Sequence, residues 1–198
     1  MAMRNMSVNI TGINPILLNN PQTVDSFNSY SKRMKVITSK RAKTDEDMMA
    51  LRDLEIEAKI YWDDELKLYV PTTWVTAALA GWSFKKAKIS KADIRSAVFT
   101  VSPKAKLHYR DDDKVKEVSD IVGNHAFRHT MTLKQGQVRI VKAAPIFHNW
   151  AFTVELEFDG TVIDPATLEQ ILIHASKYGG YGDFRPTFGR ALTEVSHG

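Results

Sequence analysis

The sequence predicts a single α+β domain, and three observations support that prediction. Of the 198 residues, 43% are hydrophobic and 25% are charged, a balance that lets a chain of this length bury one good core. Stretches in which every second residue is apolar, typical of strands, alternate with stretches in which apolar residues recur at helical spacing. Glycines and prolines mark turns between them. We therefore expect residues 1–198 to form one domain with helices on one face of a mainly antiparallel sheet.

The composition also excludes several classes of protein. The sequence contains no cysteine, so disulfides and thiolate metal sites are excluded. No apolar run approaches the roughly 20 residues of a membrane span, and residues 1–12 lack the apolar stretch of a signal peptide. There is no phosphate-binding glycine loop, dinucleotide fingerprint, nucleophile elbow or calcium loop. We predict a cytoplasmic protein with no membrane partner, no cofactor and no metal.

The first third of the chain predicts one strand and a basic excursion. Residues 7–18 alternate and are then interrupted at Gly12 and Pro15, which indicates a strand followed by a bend. Residues 19–43 are polar and rich in lysine and arginine, which predicts a long basic loop or arm. A short helix is expected after Thr44, because three acids follow this N-cap residue. We expect the region 19–55 to be a flexible insertion.

The following elements alternate between strands and helices. Residues 56–70 contain two alternating stretches around an acidic turn, which predicts a hairpin. Trp74, Val75, Ala78, Leu79 and Trp82 predict a helix over 71–84, and strands are expected over 97–101 and 104–109.

The second half predicts strands over 137–144 and 147–158, a helix and a final edge strand over 191–195. The helix begins with Asp164 as N-cap and Pro165 at its first position, and ends near Tyr178. This order of elements favours a ferredoxin-like arrangement.

The segment 178–190 is the strongest functional signal, because it holds four of the ten glycines together with aromatic residues and two arginines. Glycine lets backbone N–H groups approach a ligand, and arginine carries a planar permanent charge that suits phosphate. We therefore predict a cradle for a nucleic-acid backbone formed by Gly180, Gly182, Arg185 and Arg190. Tyr178, Tyr181 and Phe184 are candidates for stacking on bases. The alternative is that the aromatic rings fill the core and the glycines form a tight bend.

Two further basic groups are candidates for the same surface. The first lies in the predicted arm and the second at the end of the helix over 71–84; they comprise Lys32, Arg33, Lys40 and Arg41, and Lys85 and Lys86. A solvated loop explains the first group equally well. The preference of helix C-termini for cations explains the second.

Two segments resemble known family motifs. GGYGDFRPTFGRALTEV at 179–195 is similar to the glycine-rich signature of the RAMP superfamily, the RRM-like proteins of CRISPR effector complexes. LYVPTTWVTAALAG at 68–81 resembles the element that follows the first hairpin in that superfamily. The chain departs from the pattern at Pro186 and in its middle region. The resemblance implies a non-catalytic, RNA-binding backbone subunit of a CRISPR-type ribonucleoprotein, with guide RNA, copies of itself and other effector subunits as partners.

Two other functions remain open at this stage. An endoribonuclease of the same fold would use one of the histidines, His108, His125, His129, His148 or His174. His125 and His129 have the spacing of one helix face, but no metalloprotease glutamate follows His125. Asp25 lies where some superfamily members place an acid that cleaves RNA. The third possibility is a phage or mobile-element protein that binds or mimics such a complex. We predict no catalytic residue.

Overall fold

The computed structural model describes residues 3–197, without the side chains of Gln135 and His197. The chain forms two compact units. Unit 1 comprises residues 3–16, 63–112 and 147–197 of the described chain, and unit 2 comprises residues 17–62 and 113–146.

The described residues form ten strands and six α-helices. The strands are β1 (Met3–Gly12), β2 (Ile16–Leu17), β3 (Trp62–Asp63), β4 (Lys67–Pro71), β5 (Val98–Thr100), β6 (Lys104–Lys106), β7 (Arg128–Gln135), β8 (Val138–Phe147), β9 (Ala151–Asp159) and β10 (Ala191–His197). The helices are α1 (Ser29–Thr38), α2 (Asp45–Lys59), α3 (Thr73–Ala87), α4 (Lys91–Ala97), α5 (Val118–Val122) and α6 (Pro165–His174).

The main sheet of unit 1 has the strand order β10-β1-β9-β5, and its neighbouring strands are antiparallel. The four strands of this sheet occur along the chain in the order β1, β5, β9 and β10. Helix α3 lies between β1 and β5, and helix α6 lies between β9 and β10. This order is consistent with a ferredoxin-like arrangement, so the predicted α+β class is confirmed. Smaller sheets have the orders β2-β8-β7 and β3-β4-β6.

The core of unit 1 lies on one face of the main sheet. Val8 pairs with Val154, and Ile10 pairs with Phe152, and these four side chains are almost completely buried. Each large apolar side chain removed from water contributes roughly 1.5–3 kcal/mol, which makes this face the main source of stability of unit 1. Helices α3 and α6 pack against each other, while α6 contacts β10 and α3 contacts β5. The helices therefore cover the buried face.

Helices α3 and α6 of unit 1 begin near the positions that the sequence predicts, whereas α4 is not predicted. Helix α6 has Asp164 as its N-cap, which accepts a hydrogen bond from the Thr167 backbone N–H, and Pro165 follows. A single π-helical turn, Ala175–Gly179, continues α6 and leads into the glycine-rich segment. The final strand β10 is an edge strand, as predicted.

Unit 2 contains α1, α2 and the antiparallel pair β7–β8. Helix α2 begins with a capping box between Thr44 and Asp47. Farther along α2, the buried Glu55 carboxylate accepts hydrogen bonds from Lys142 Nζ at 2.6 Å and the Ala143 backbone N–H at 2.9 Å. These contacts fix α2 against β8.

Two sequence predictions are wrong in this region. The predicted loop over 19–43 contains α1, which Asn28 caps by accepting a hydrogen bond from the Tyr30 N–H and which packs on α2. The predicted hairpin over 56–70 is also wrong in its first half, since α2 continues to Lys59 and only Trp62–Asp63 forms a strand before β4. The apolar alternation at 56–60 coincides with the buried side of a helix, and good helix formers such as Glu57 and Lys59 separate the apolar positions.

Candidate nucleic-acid interface

The glycine-rich segment folds into a tight bend in which two glycines are required by backbone packing. Gly180 and Gly189 have φ values of 74° and 75°, and the Tyr181 N–H donates to the Gly189 carbonyl oxygen at 2.8 Å. A Cβ atom on Gly189 would lie 1.7 Å from the Tyr181 carbonyl oxygen. These glycines therefore allow two stretches of backbone to meet, which is the alternative role that the sequence left open. Gly182, also at positive φ, is half-buried in the same bend.

Tyr181 is not available to a ligand, which corrects its prediction as a nucleic-acid-binding residue. Its side chain is completely buried, and burial raises the pKa of its hydroxyl to about 12. The hydroxyl lies 2.7 Å from Ser176 Oγ, which also accepts a hydrogen bond from Thr193 Oγ1 and donates to the Leu172 carbonyl oxygen. Tyr181 thus anchors the bend to α6 and β10.

The two arginines of the bend remain available for anions. Arg185 is exposed, and its Nη1 lies 3.5 Å from the Gly180 carbonyl oxygen. Arg190 is half-exposed, and its Nε donates to the Lys177 carbonyl oxygen at 2.9 Å. Neither guanidinium forms a salt bridge with any carboxylate among residues 3–197. No carboxylate of the described residues therefore neutralises either charge.

The end of α3 meets the turn that follows α6. The Trp82 ring centroid lies 4.9 Å from that of His174 and 6.5 Å from that of Tyr178. Gly179 allows this approach, because a Cβ atom there would lie 2.5 Å from Trp82 Nε1. Lys85 Nζ lies 4.8 Å from the centroid of the Trp82 ring. Two regions that are distant in sequence thus form one surface.

We call this surface the aromatic–basic cluster, and its members are Trp82, Lys85, Lys86, His174, Lys177, Tyr178 and Arg190. Burial lowers the pKa of His174, and the positive charges of Lys86 and Lys177 lower it further. His174 is therefore neutral near pH 7. None of the four cations in the cluster forms a salt bridge with a carboxylate in the described part of the chain.

The arrangement joins the two kinds of contact that single-stranded nucleic acids use. Ammonium and guanidinium groups contact phosphates, and aromatic rings stack on bases. Tyr178 is half-exposed, and Lys177 Nζ lies 5.6 Å from its ring centroid. The cluster therefore presents unpaired positive charge beside an accessible ring.

The open face of the main sheet has the opposite character. Its exposed residues include Glu155 and Glu157 on β9 and Glu194 on β10. RNA-recognition modules of the RRM type stack bases on aromatic side chains of such a sheet. Here Phe99, beside Glu157 in the register, is an exposed aromatic residue of that face. The acidic face disfavours phosphate, so the cluster at the helix ends is the better candidate.

The cations of the predicted arm lie in unit 2, on or beside α1. Lys32 Nζ lies over the Phe27 ring, at 5.8 Å from its centroid. Arg33 pairs with Glu57 at 3.6 Å, and Lys40 pairs with Asp47 at 2.5 Å. Arg41 is exposed. Acidic side chains of α2 therefore neutralise part of this group.

The candidate histidine pair His125 and His129 does not have the predicted arrangement. His125 lies in a single 3-10 turn and His129 lies in β7, so the expectation that they share a helix face is wrong. The turn ends there because residues 128–135 pair with β8. Asp25 is exposed and caps a local turn by accepting a hydrogen bond from the Phe27 N–H. Within residues 3–197, no three His, Asp or Glu side chains form a group suited to a metal ion.

Sequence reasoning missed two central members of the cluster. Trp82 fits the apolar stripe of α3, so its spacing predicted a core residue, and Lys177 is a single charge next to a helix end. Gly179 is the one sequence signal for the contact between Trp82 and the turn after α6, because its lack of a side chain accommodates the indole ring. Helical spacing alone does not reveal which neighbour a glycine accommodates.

Comparisons with known proteins show a likeness to solved structures. No protein-family model matches the chain, and no curated protein sequence matches it. The fold is similar to that of a chain in the cryo-EM structure of the Type III-B Cmr-beta bound to cognate target RNA, with a TM-score of 0.53 and 10% sequence identity. The match covers 98% of this chain and 60% of that chain. At this identity the likeness shows the fold alone. Among the described residues, no helix is long and apolar enough to cross a membrane.

Proposed function

We propose that this protein is a non-catalytic RNA-binding subunit of a CRISPR-type ribonucleoprotein in the cytoplasm, and that it grips the phosphate backbone of guide RNA. The observation that carries the proposal is the aromatic–basic cluster, in which Lys85 and Lys177 lie over aromatic rings and Lys86 and Arg190 lie nearby. None of these four cations pairs with a carboxylate of the described residues. Arg185 extends the same positive surface along the glycine-rich bend. Copies of this chain and other effector subunits are the proposed protein partners.

Two independent observations support this assignment. The glycine-rich segment and the segment 68–81 resemble RAMP motifs, and the fold resembles a chain of the Cmr-beta complex, which is bound to target RNA. The cluster includes elements from both motif regions, since Trp82 follows the second segment directly and Arg190 belongs to the first.

Phosphate binding makes a quantitative demand on this surface. Each phosphate contact to a single strand releases counterions, and the logarithm of the binding constant then falls with the logarithm of salt concentration by about 0.7 per contact. Four or five cations in one cluster therefore predict a steep salt dependence. Contacts to phosphate carry no sequence information, so the affinity should vary little between RNA sequences.

The test is fluorescence anisotropy with a labelled single-stranded RNA over a range of salt concentrations. Lys177→Gln and Arg190→Gln should each weaken binding to every RNA sequence and lower the salt slope by about 0.7. Lys106→Gln, which removes a charge from β6 of unit 1, is the matched control and should change neither value. Wild-type protein that binds no RNA, or equal slopes in all four proteins, would refute the proposal.

A further inference from the structure

Tyr178 combines exposure with a rigid position. Half of its side chain is exposed, yet it belongs to the π-helical turn Ala175–Gly179, whose first residues are buried. The Gly180 N–H closes this turn by donating to the Ala175 carbonyl oxygen at 2.9 Å. An exposed ring on an anchored turn loses little conformational freedom when it binds a ligand.

Other rings support one side of Tyr178. The His174 ring centroid lies 4.6 Å from that of Tyr178, and the Trp82 centroid lies 6.5 Å from it. Trp82 is itself less exposed than Tyr178, and Gly179 lies against its indole nitrogen edge. Tyr178 is therefore the ring of this group that a planar ligand can best reach.

The nearby cations can move from ring to phosphate. Lys177 Nζ lies 5.6 Å from the Tyr178 ring centroid, a contact worth roughly 0.5–1 kcal/mol at an exposed site. A base that stacks on the ring displaces this ammonium, which can then contact the adjoining phosphate. Arg190, held at the Lys177 carbonyl oxygen, supplies a second charge nearby.

From this geometry we infer that Tyr178 is the platform for one unstacked base, so the cluster selects single-stranded RNA over duplex RNA. The inference rests on the proposed function and specifies its ligand. Bases of an A-form duplex are stacked on each other and cannot present a face to Tyr178, whereas a single strand can turn one base outward. Phosphate contacts alone would accept either form.

The experiment compares a single-stranded RNA of about 12 nucleotides with a duplex of the same length, at one salt concentration. Wild-type protein should prefer the single strand. Tyr178→Leu should weaken single-strand binding by about 5- to 150-fold, the loss in affinity that corresponds to the stacking of one base on an aromatic ring. It should leave duplex binding unchanged. Tyr178→Phe should retain the preference. Phe99→Leu, an exposed aromatic on the open sheet face, is the matched control and should have no effect.

A second measurement changes the RNA and compares how wild type and Tyr178→Leu respond. Abasic nucleotides are placed one at a time along the single strand, and one or more positions should weaken wild-type binding but not binding by Tyr178→Leu. Wild-type protein that binds neither RNA would refute the proposed function itself. Binding of both RNAs with equal affinity, or equal losses in Tyr178→Leu and Tyr178→Phe, would overturn the stacking inference while leaving phosphate binding intact.

Discussion

The aromatic–basic cluster of unit 1 and the basic segment of unit 2, residues 32–43, are similarly rich in lysine and arginine but differ in their surroundings. In the cluster, cations lie over aromatic rings or at backbone carbonyls, as Lys85 and Arg190 do. In the basic segment, Arg33 and Lys40 form salt bridges with acids of α2. The cluster therefore has unpaired charge, and part of the charge of the segment is already neutralised.

The difference teaches that a run of basic residues does not by itself identify a binding surface. Lys40 pairs with Asp47, seven residues later in the sequence, and that acid also belongs to the capping box that starts α2. The Asp47 carboxylate, which favours the start of the helix, thus also reduces the charge available to a polyanion. We expect RNA binding to depend first on the cluster and only then on the segment.

The largest expected effect comes from breaking the bend that holds the cluster together. Gly189→Ala should lower the free energy of unfolding by at least about 3 kcal/mol, because it adds an overlap with the Tyr181 carbonyl oxygen to the strain of positive φ. Gly136→Ala has φ of 61° but open space around the new methyl group, and should cost only about 1–2 kcal/mol. Chemical denaturation of both variants measures the difference. Equal losses would show that backbone strain alone explains both.

The sequence predicts the helices and strands of unit 1 better than it predicts the contacts within the bend. The pairing of Asp164 with Pro165 fixed the start of α6, and alternation at 152–158 predicted β9, because local chemistry determines both. The glycines of the segment predict a tight bend as an alternative, but they do not predict its cause. Gly180 faces Gly189, a contact that depends on where the chain returns, and no local pattern indicates it.

The candidate site was predictable only in part for the same reason. Arg190 and Lys85 were identified as cations, but their proximity depends on the packing of α3 against α6. Aromatic residues beside glycines can stack on bases or fill the core, so the sequence predicts Tyr181 as a ligand-binding residue and leaves the core as the alternative. The complete burial of Tyr181 and its hydrogen bond to Ser176 distinguish the two roles.

A smaller effect is expected from releasing a paired charge in the basic segment. Glu57→Gln removes the carboxylate that Arg33 contacts at 3.6 Å and should raise RNA affinity by about two- to threefold, since exposed ion pairs contribute only about 0–1 kcal/mol. Glu46→Gln removes an exposed acid of the same helix and is the matched control. Anisotropy titrations at low salt compare the two. If Glu46→Gln raises affinity as much as Glu57→Gln, general charge rather than the release of Arg33 is responsible.

The smallest expected effect is a pH dependence that the cluster has and the basic segment, which contains no histidine, lacks. The folded pKa of His174 lies below its usual value of 6.5, chiefly because of burial and also because of Lys86 and Lys177. The unfolded chain therefore binds more protons than the folded chain as the pH falls through 6.5, and the free energy of unfolding decreases over that range. His174→Gln should remove this part of the decrease when thermal unfolding is compared between pH 7.5 and 5.5.

A bound phosphate stabilises the imidazolium of His174. RNA affinity of the wild type should therefore rise slightly as the pH falls from 7.5 to 5.5, and the affinity of His174→Gln should change less. Parallel pH profiles of the two proteins would place the His174 ring outside the electrostatic field of the bound RNA and restrict the cluster to its permanent charges.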